Sequence, residues 1–299
     1  MKTNTYTFPL TKQTQLYTIQ DFFNVMIPSK KYQHLLIQNK WITIDQQAVK
    51  RETFLIGHSL EICLYPITHT YQKKDCDIPV ILYEDAYVIA VSKPAGIIVH
   101  HDGSDQITLC DMLAQYYLKQ HYTCALQPLH RLDCDTSGIV LFSKSEIFQP
   151  LFDNMMSQKL IKRNYLAFVS GKWNCHHQEI TLPIGKDRHQ NKQRVSKNGQ
   201  FAKTIVSTKY IDQHNRYSMM HCSLETGRTH QIRVHCSYLH HPLLADRLYG
   251  SASSLIDRVA LHAYELVLFH PILQKEIIIH DSLPNDLKHL LPKNEELRK

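Results

Sequence analysis

The stretch HRLDCDTSGIVLFSK, residues 130–144, passes from a polar, charge-bearing loop straight into an apolar strand. A loop fixed to a rigid strand is where reactive groups usually sit. Asp133 has the chemistry of a nucleophile or a general base, and His130 and Arg131 stand beside it. The same residues would also make a capped loop with a surface ion pair, so this stretch alone leaves chemistry and scaffold both open. Its strand does set the fold class. Further strand patterns fall at 79–83, 87–92, 164–169, 203–210, 217–224, 265–269 and 276–280. Helical patterns in the same region fall at 109–120 and at 146–160, the second with Ser145 as its N-cap. Strands that rarely alternate with helices disfavour a parallel βαβ fold, so the expectation is α+β with a mixed, mainly antiparallel sheet.

Upstream, residues 15–66 read as a small α/β unit. Asp21 caps a short helix ended by Pro28, and a second helix follows Ser29. Strands are expected at 41–44 and 60–64 on either side of a turn at Asp45-Gln46-Gln47. Residues 67–78 lack periodicity and read as a linker, residues 79–292 as the larger domain, and residues 293–299 as a tail.

The 299 residues are 43% hydrophobic and 20% charged, which supports a buried core and argues against disorder. A net charge of +7 suits a polyanionic partner and equally a slightly basic globular protein. None of the eight cysteines forms a C-x-x-C pair, so neither a zinc ribbon nor a thioredoxin-like site is indicated. The polar start lacks the apolar run of a signal peptide, and no stretch approaches the roughly 20 apolar residues of a membrane span. The expectation is a cytoplasmic protein with no membrane contact.

A second dense segment, LETGRTHQIRVHCSYLHHPLLADRLYG at 224–250, ends a strand at Thr226-Gly227 and leads through Arg228 into a basic amphipathic helix. An arginine at such a turn can hold a carboxylate through a two-pronged hydrogen bond, or simply serve the scaffold. KPAGIIVHHDG at 93–103 and KRNYLAFVSG at 162–171 complete the set, the latter placing Tyr165 at the start of a strand.

In this order, KPAG, HRLDxxTSG, KxxYxAxVxG, LxTGRTHQIRVH, HPLxxDxxYG and LHA resemble the RluA family of pseudouridine synthases from residue 79 to about residue 281. The resemblance implies a catalytic role for Asp133 and a base-contacting role for Tyr165, which would assist deprotonation at carbon 5. It implies that Arg228 pairs with Asp133 and that Arg131, with His130 and Thr136 of the same motif, lies near a flipped-out nucleotide. One departure is Ala245, where the family usually has Gly in HPLxGDxxYG. Residues 1–66 resemble, less closely, the α-L RNA-binding domain of a small-subunit ribosomal protein. Lys40-Trp41 stands there where Gly is expected, and Lys30 and Lys31 are candidate RNA contacts.

The implied reaction breaks the N1–C1′ bond, turns the uracil and joins its carbon 5 to the sugar. Nothing is oxidised and no group is imported, so neither cofactor nor metal is expected. Asp133 could attack C1′ or remove the 2′ proton. The target base must leave its stack. The basic stretch 186–209, with Lys192 and Arg194, would grip flanking phosphates or form a solvated hairpin. RNA is the expected partner of a monomeric protein, ribosomal RNA of the large subunit first and transfer RNA second. Two rival readings are a metal-dependent hydrolase and a non-catalytic RNA-binding assembly factor. For the first, His230, His235 and His240 are spaced by five residues and spread round a helix instead of sharing a face. For the second, the aspartate, tyrosine and arginine set would have no purpose.

Overall fold

The computed structural model describes residues 4–64, 74–121, 125–214 and 216–291. Cys124, residues 67–73 of the expected linker and the expected tail at 293–299 lie outside them. The chain forms two compact units. One comprises Met1–Ala90, His100–His130 and Leu141–Gln158, and the other Val91–Val99, Arg131–Val140 and the chain from Lys159 onward.

In the first unit, β1 (Asn4–Pro9) is followed by α1 (Ile19–Met26) and α2 (Lys30–Gln38). The cap of α1 is Thr18, not Asp21. The Thr18 hydroxyl accepts the Asp21 N–H, and the Asp21 carboxylate accepts the Thr18 N–H, so the two satisfy orphan donors reciprocally. Ile19 and Phe23 give α1 its buried face. Helix α2 ends with Lys40 at φ 55°, its N–H on the Ile37 carbonyl while the Trp41 N–H reaches Leu36. That left-handed position is where Gly is usual, which explains the departure at Lys40. Strands β2 (Ile42–Ile44) and β3 (Gln47–Ala48) are joined through Asp45 and Gln46, both at positive φ. The Asp45 carboxylate accepts the His58 and Ser59 N–H groups, fixing the start of β4 (Ser59–Leu64). The small sheet has the order β1-β4-β2-β3.

Next come β5 (Val80–Glu84), β6 (Val88–Lys93), α3 (Leu109–Lys119), β7 (Gln127–Pro128), β8 (Ser137–Ser143) and α4 (Gln149–Ser157). The start of α4 lies four residues beyond Ser145, because Pro150 fits only the first turn. The Ser145 carbonyl accepts the Gln149 N–H instead.

In the second unit, β9 (Ile161–Ser170), β10 (His177–Thr181), β11 (Ile184–Lys186) and β12 (Gln193–Val195) precede β13 (Lys203–Ile211) and β14 (Tyr217–Leu224). Helix α5 (Gln231–Tyr238), β15 (Leu261–His270), β16 (Lys275–His280) and α6 (Asn285–Lys288) follow. The large sheet runs β10-β13-β14-β9-β15-β8 here, with β16 also on β15. All these pairings are antiparallel except β15 with β8. The fold class is therefore α+β with a mainly antiparallel sheet. Phe168, Tyr217, Met219, Leu244 and Leu287 share one apolar cluster. Strands β11 and β12 form a separate hairpin within the basic stretch. Among the described residues no helix is long and apolar enough to cross a membrane.

The parallel contact of β8 with β15, His262 opposite Ser137 and Ala263 opposite Gly138, is the tightest constraint in this unit. Gly138 has φ 118°, and a Cβ there would lie 2.2 Å from the Ala263 carbonyl oxygen. Backbone cannot yield as a flexible side chain can. Gly138→Ala is therefore expected to cost more than about 2 kcal/mol of unfolding free energy, from disallowed φ and overpacking together. Urea denaturation checks this, and a loss below half that figure would show that the strands can part locally.

Candidate active site

The loop that enters β8 carries Asp133, whose carbonyl accepts the Thr136 N–H and closes a turn. Two cations hold this turn. Lys93 is fully buried, and its ammonium donates to the carbonyls of Cys134 at 2.8 Å, Pro94 at 2.9 Å and Ile97 at 2.6 Å. Burial draws its pKa down to about 8, against the pull of neighbouring acids that include Asp133. Arg258 donates to the Asp135 carbonyl at 3.1 Å and to the Ser137 hydroxyl at 3.2 Å, and is itself gripped by Asp286. His262 supports the same hydroxyl at 2.9 Å. Carbonyls that would otherwise be orphaned are thereby satisfied, and the loop is fixed without using the Asp133 carboxylate.

That carboxylate is about a quarter exposed and faces α5. The nitrogen of Arg233 that points toward it donates to Asp133 Oδ2 at 3.1 Å. The other side of the same guanidinium grips Asp246 through two hydrogen bonds of 2.8 and 2.9 Å. Asp246 is fully buried and also accepts the N–H groups of Leu248 and Tyr249. Burial alone works against the charge on Arg233. The hydrogen bonds and charge of Asp246, with Asp133 behind them, more than offset this and hold its pKa above the ordinary arginine value. The Tyr249 ring lies under the guanidinium, 5.1 Å away. Its hydroxyl meets His230 Nδ1 at 2.9 Å and accepts the Gln193 N–H at 2.9 Å. His230 Nε2 stands 3.6 Å from Asp133. Burial draws His230 below the ordinary histidine value, against the attraction of Asp133, and so favours the neutral imidazole.

The expected pairing of Arg228 with Asp133 is thus corrected: Arg233 makes it. Arg228 precedes α5 and turns away, donating to the Phe201 carbonyl at 2.9 Å, whereas Arg233 sits in the helix's first turn. Tyr165 is where it was expected, buried on β9. Burial raises its phenol pKa, with the Arg163 guanidinium working against the rise and Asp133 adding to it, so Tyr165 is a neutral phenol in the electrostatic range of Asp133. Arg131 is exposed, and Thr136 is buried. His130 is buried with Nε2 accepting the Leu141 N–H. Lys30 and Lys31 are exposed at the start of α2. Lys192 and Arg194 lie at the β11–β12 hairpin, Arg194 loosely paired with Asp187 at 3.9 Å. Among the described residues no three His, Cys, Asp or Glu side chains gather as metal ligands.

Ala245 sits at φ 57° in the turn closed by the Asp246 N–H on the Leu243 carbonyl. The family's glycine at this point is a demand for left-handed backbone just before the buried aspartate, and alanine meets it at some cost.

This constellation on a mainly antiparallel α+β sheet is that of a pseudouridine synthase, and comparison with known proteins agrees. Residues 87–238 match the family model described as RNA pseudouridylate synthase. A Bacillus subtilis protein named as an uncharacterized RNA pseudouridine synthase, YhcT, is 41% identical over 212 residues, 70% of each chain. Ribosomal large subunit pseudouridine synthase D of Nitrosomonas europaea is 32% identical over 268 residues, 85% of this chain and 77% of that one. The structure of human RNA Pseudouridylate Synthase Domain Containing 1 shares the fold, with a TM-score of 0.58 at 21% identity over 71% of this chain and 86% of that one. The chain belongs to the RNA pseudouridylate synthase family and isomerises uridine to pseudouridine in RNA.

The two arginines should separate cleanly on mutation. Arg233→Met leaves Asp246 buried and unpaired, and is expected to cost about 3–5 kcal/mol of stability. Arg228→Met loses one exposed hydrogen bond and should cost about 1 kcal/mol or less. Urea midpoints of the two variants check this, and equal losses would sink the assignment of Arg233 as the residue that ties the site together.

Proposed function

We propose that Asp133 is the group that opens the glycosidic bond and that the enzyme acts on uridines of large-subunit ribosomal RNA. The observation that carries the chemistry is the part-exposed Asp133 carboxylate, held by Arg233 at 3.1 Å while its loop is anchored by other residues. A carboxylate so placed can attack C1′ of the ribose or take its 2′ proton. Either route needs a carboxylate beside the sugar, and Arg233 stands next to it as a fixed counter-charge. Tyr165, a neutral phenol within the field of Asp133, serves as a contact to the uracil and assists proton loss from carbon 5 once the new bond has formed.

The ribosomal target is supported by the names of relatives such as the Nitrosomonas europaea enzyme. It is supported too by residues 1–66, whose two helices and four-stranded sheet present Lys30 and Lys31 to solvent. In this reading those lysines, with Arg131, Lys192 and Arg194, meet RNA, and the protein works as a cytoplasmic monomer with residues 79–292 as its catalytic domain. A flipped base reached from single-stranded or weakly paired RNA suits such a site.

Asp133→Asn keeps the shape of the side chain and removes its charge. Release of tritium from RNA labelled at uracil carbon 5 should fall to background while affinity for RNA changes by less than threefold. Release at the wild-type rate would remove Asp133 from the chemistry. Pseudouridine mapping of total RNA from cells with and without the gene should show the missing sites in large-subunit ribosomal RNA. Missing sites confined to transfer RNA would replace the target and leave the chemistry standing.

A further inference from the structure

Arg163 has no use in the site as described so far. It lies on β9 two residues before Tyr165, so the two side chains leave the same face of the strand. Its guanidinium rests against Gly227: a Cβ at that glycine would stand 2.9 Å from one terminal nitrogen and 3.3 Å from the other. Gly227 itself is exposed. The Nε of Arg163 is buried and has no hydrogen-bond partner.

A protein carboxylate for it is missing among the described residues. Glu225 and Glu265, carried by the two segments that flank Arg163, are engaged elsewhere, Glu225 by Lys203 and Glu265 by Asn164 and His280. A half-buried guanidinium left without a partner is an expensive arrangement in a folded chain, and its terminal nitrogens keep their donors free beside an exposed glycine. Planar guanidinium donors match oxyanions in shape as well as charge. The charge of Arg163 is also felt at the Tyr165 phenol, which places it beside the reacting nucleotide's pocket.

We propose that Arg163 is a substrate ligand that binds an anionic oxygen of the target nucleotide, with Gly227 leaving its approach open. This rests on the reading of Asp133 and Tyr165 as the reaction centre. The oxygen has two sources, a phosphodiester beside the target uridine or the uracil itself, which carries negative charge once detached from C1′.

The test uses the full chain with Arg163→Gln, Arg163→Lys and Gly227→Ala. The last leaves the charge intact and pushes the guanidinium aside. Binding is measured on a 12-nucleotide oligouridylate across 50–200 mM salt, an interval of roughly the width in which phosphate contacts declare themselves. Single-turnover tritium release is measured at saturating RNA taken from labelled cells that lack the gene. If the oxygen belongs to a phosphate, Arg163→Gln weakens oligouridylate binding about tenfold and flattens the log-affinity against log-salt slope by about 0.7. If it belongs to the uracil, affinity and slope hold while the saturating rate falls at least tenfold. Arg163→Lys recovers part of either loss, and Gly227→Ala reproduces part of it. A merely structural arginine would move neither the salt slope nor the rate of the folded variant at saturation. Affinity, slope and rate within twofold of wild type in both Arg163→Gln and Gly227→Ala would overturn the proposal. Should Arg163→Gln not fold, the Gly227→Ala result alone decides. Release at the wild-type rate by Asp133→Asn in the same assay would instead count against the Asp133 chemistry, so the two failures are told apart.

Discussion

Everything at the centre of this enzyme hangs on the three-way contact of Arg233 with Asp246 and Asp133. Asp246 is fully buried, so it cannot stand without a fixed cation, and its two hydrogen bonds set the plane of the guanidinium. Only then does the remaining nitrogen point at Asp133. The buried aspartate acts as the aiming device and the part-exposed one as the target. A lysine could neutralise one carboxylate, but it has no rigid fork with which to address two at fixed angles. The Tyr249 ring beneath the guanidinium and the peptide N–H groups that load Asp246 narrow its freedom further.

The support of the Asp133 loop is arranged separately. Lys93 and Arg258 bind backbone carbonyls of Cys134 and Asp135 and leave the carboxylate alone. Position and electrostatic partner of the Asp133 carboxylate are thus assigned to different residues: the loop is placed by Lys93 and Arg258, while the partner comes from α5. His230 and Tyr249 then connect that centre to the β11–β12 hairpin through the Gln193 N–H. A segment rich in basic side chains is in this way joined by hydrogen bonds to the carboxylate's surroundings.

Much of this was legible in the sequence. The strand that follows Asp133 and the pattern at 217–224 correspond closely to β8 and β14, the first through an unbroken apolar run from Ile139 to Phe142 and the second through its apolar Met219-Met220 centre. The short strands β10, β11 and β12 were not foreseen, since polar residues on hairpins carry no such mark. Tyr165 lies buried on β9 within the field of Asp133. Arg228 did not meet Asp133, because two arginines share one motif and only the placement of α5 tells which faces inward. The DxxYG pattern held the missing signal: a buried aspartate there needs a cation, and Arg233 lies in the first turn of α5 within its reach. The Thr18 cap was missed for a similar reason, since a box of two residues leaves either one readable as the cap.

Lys40 and Ala245 stand where the two resemblances lead one to expect glycine, and both have the positive φ that glycine would have supplied. At both positions the fold requires a direction of chain travel, and glycine is only its cheapest carrier. At Ala245 the burial of a methyl group, about 0.8 kcal/mol, offsets much of the roughly 1 kcal/mol that a left-handed backbone costs a side chain. At the exposed Lys40 no comparable burial exists. The cost at Lys40 is therefore borne unrelieved, at a helix end outside the unit that contains Asp133.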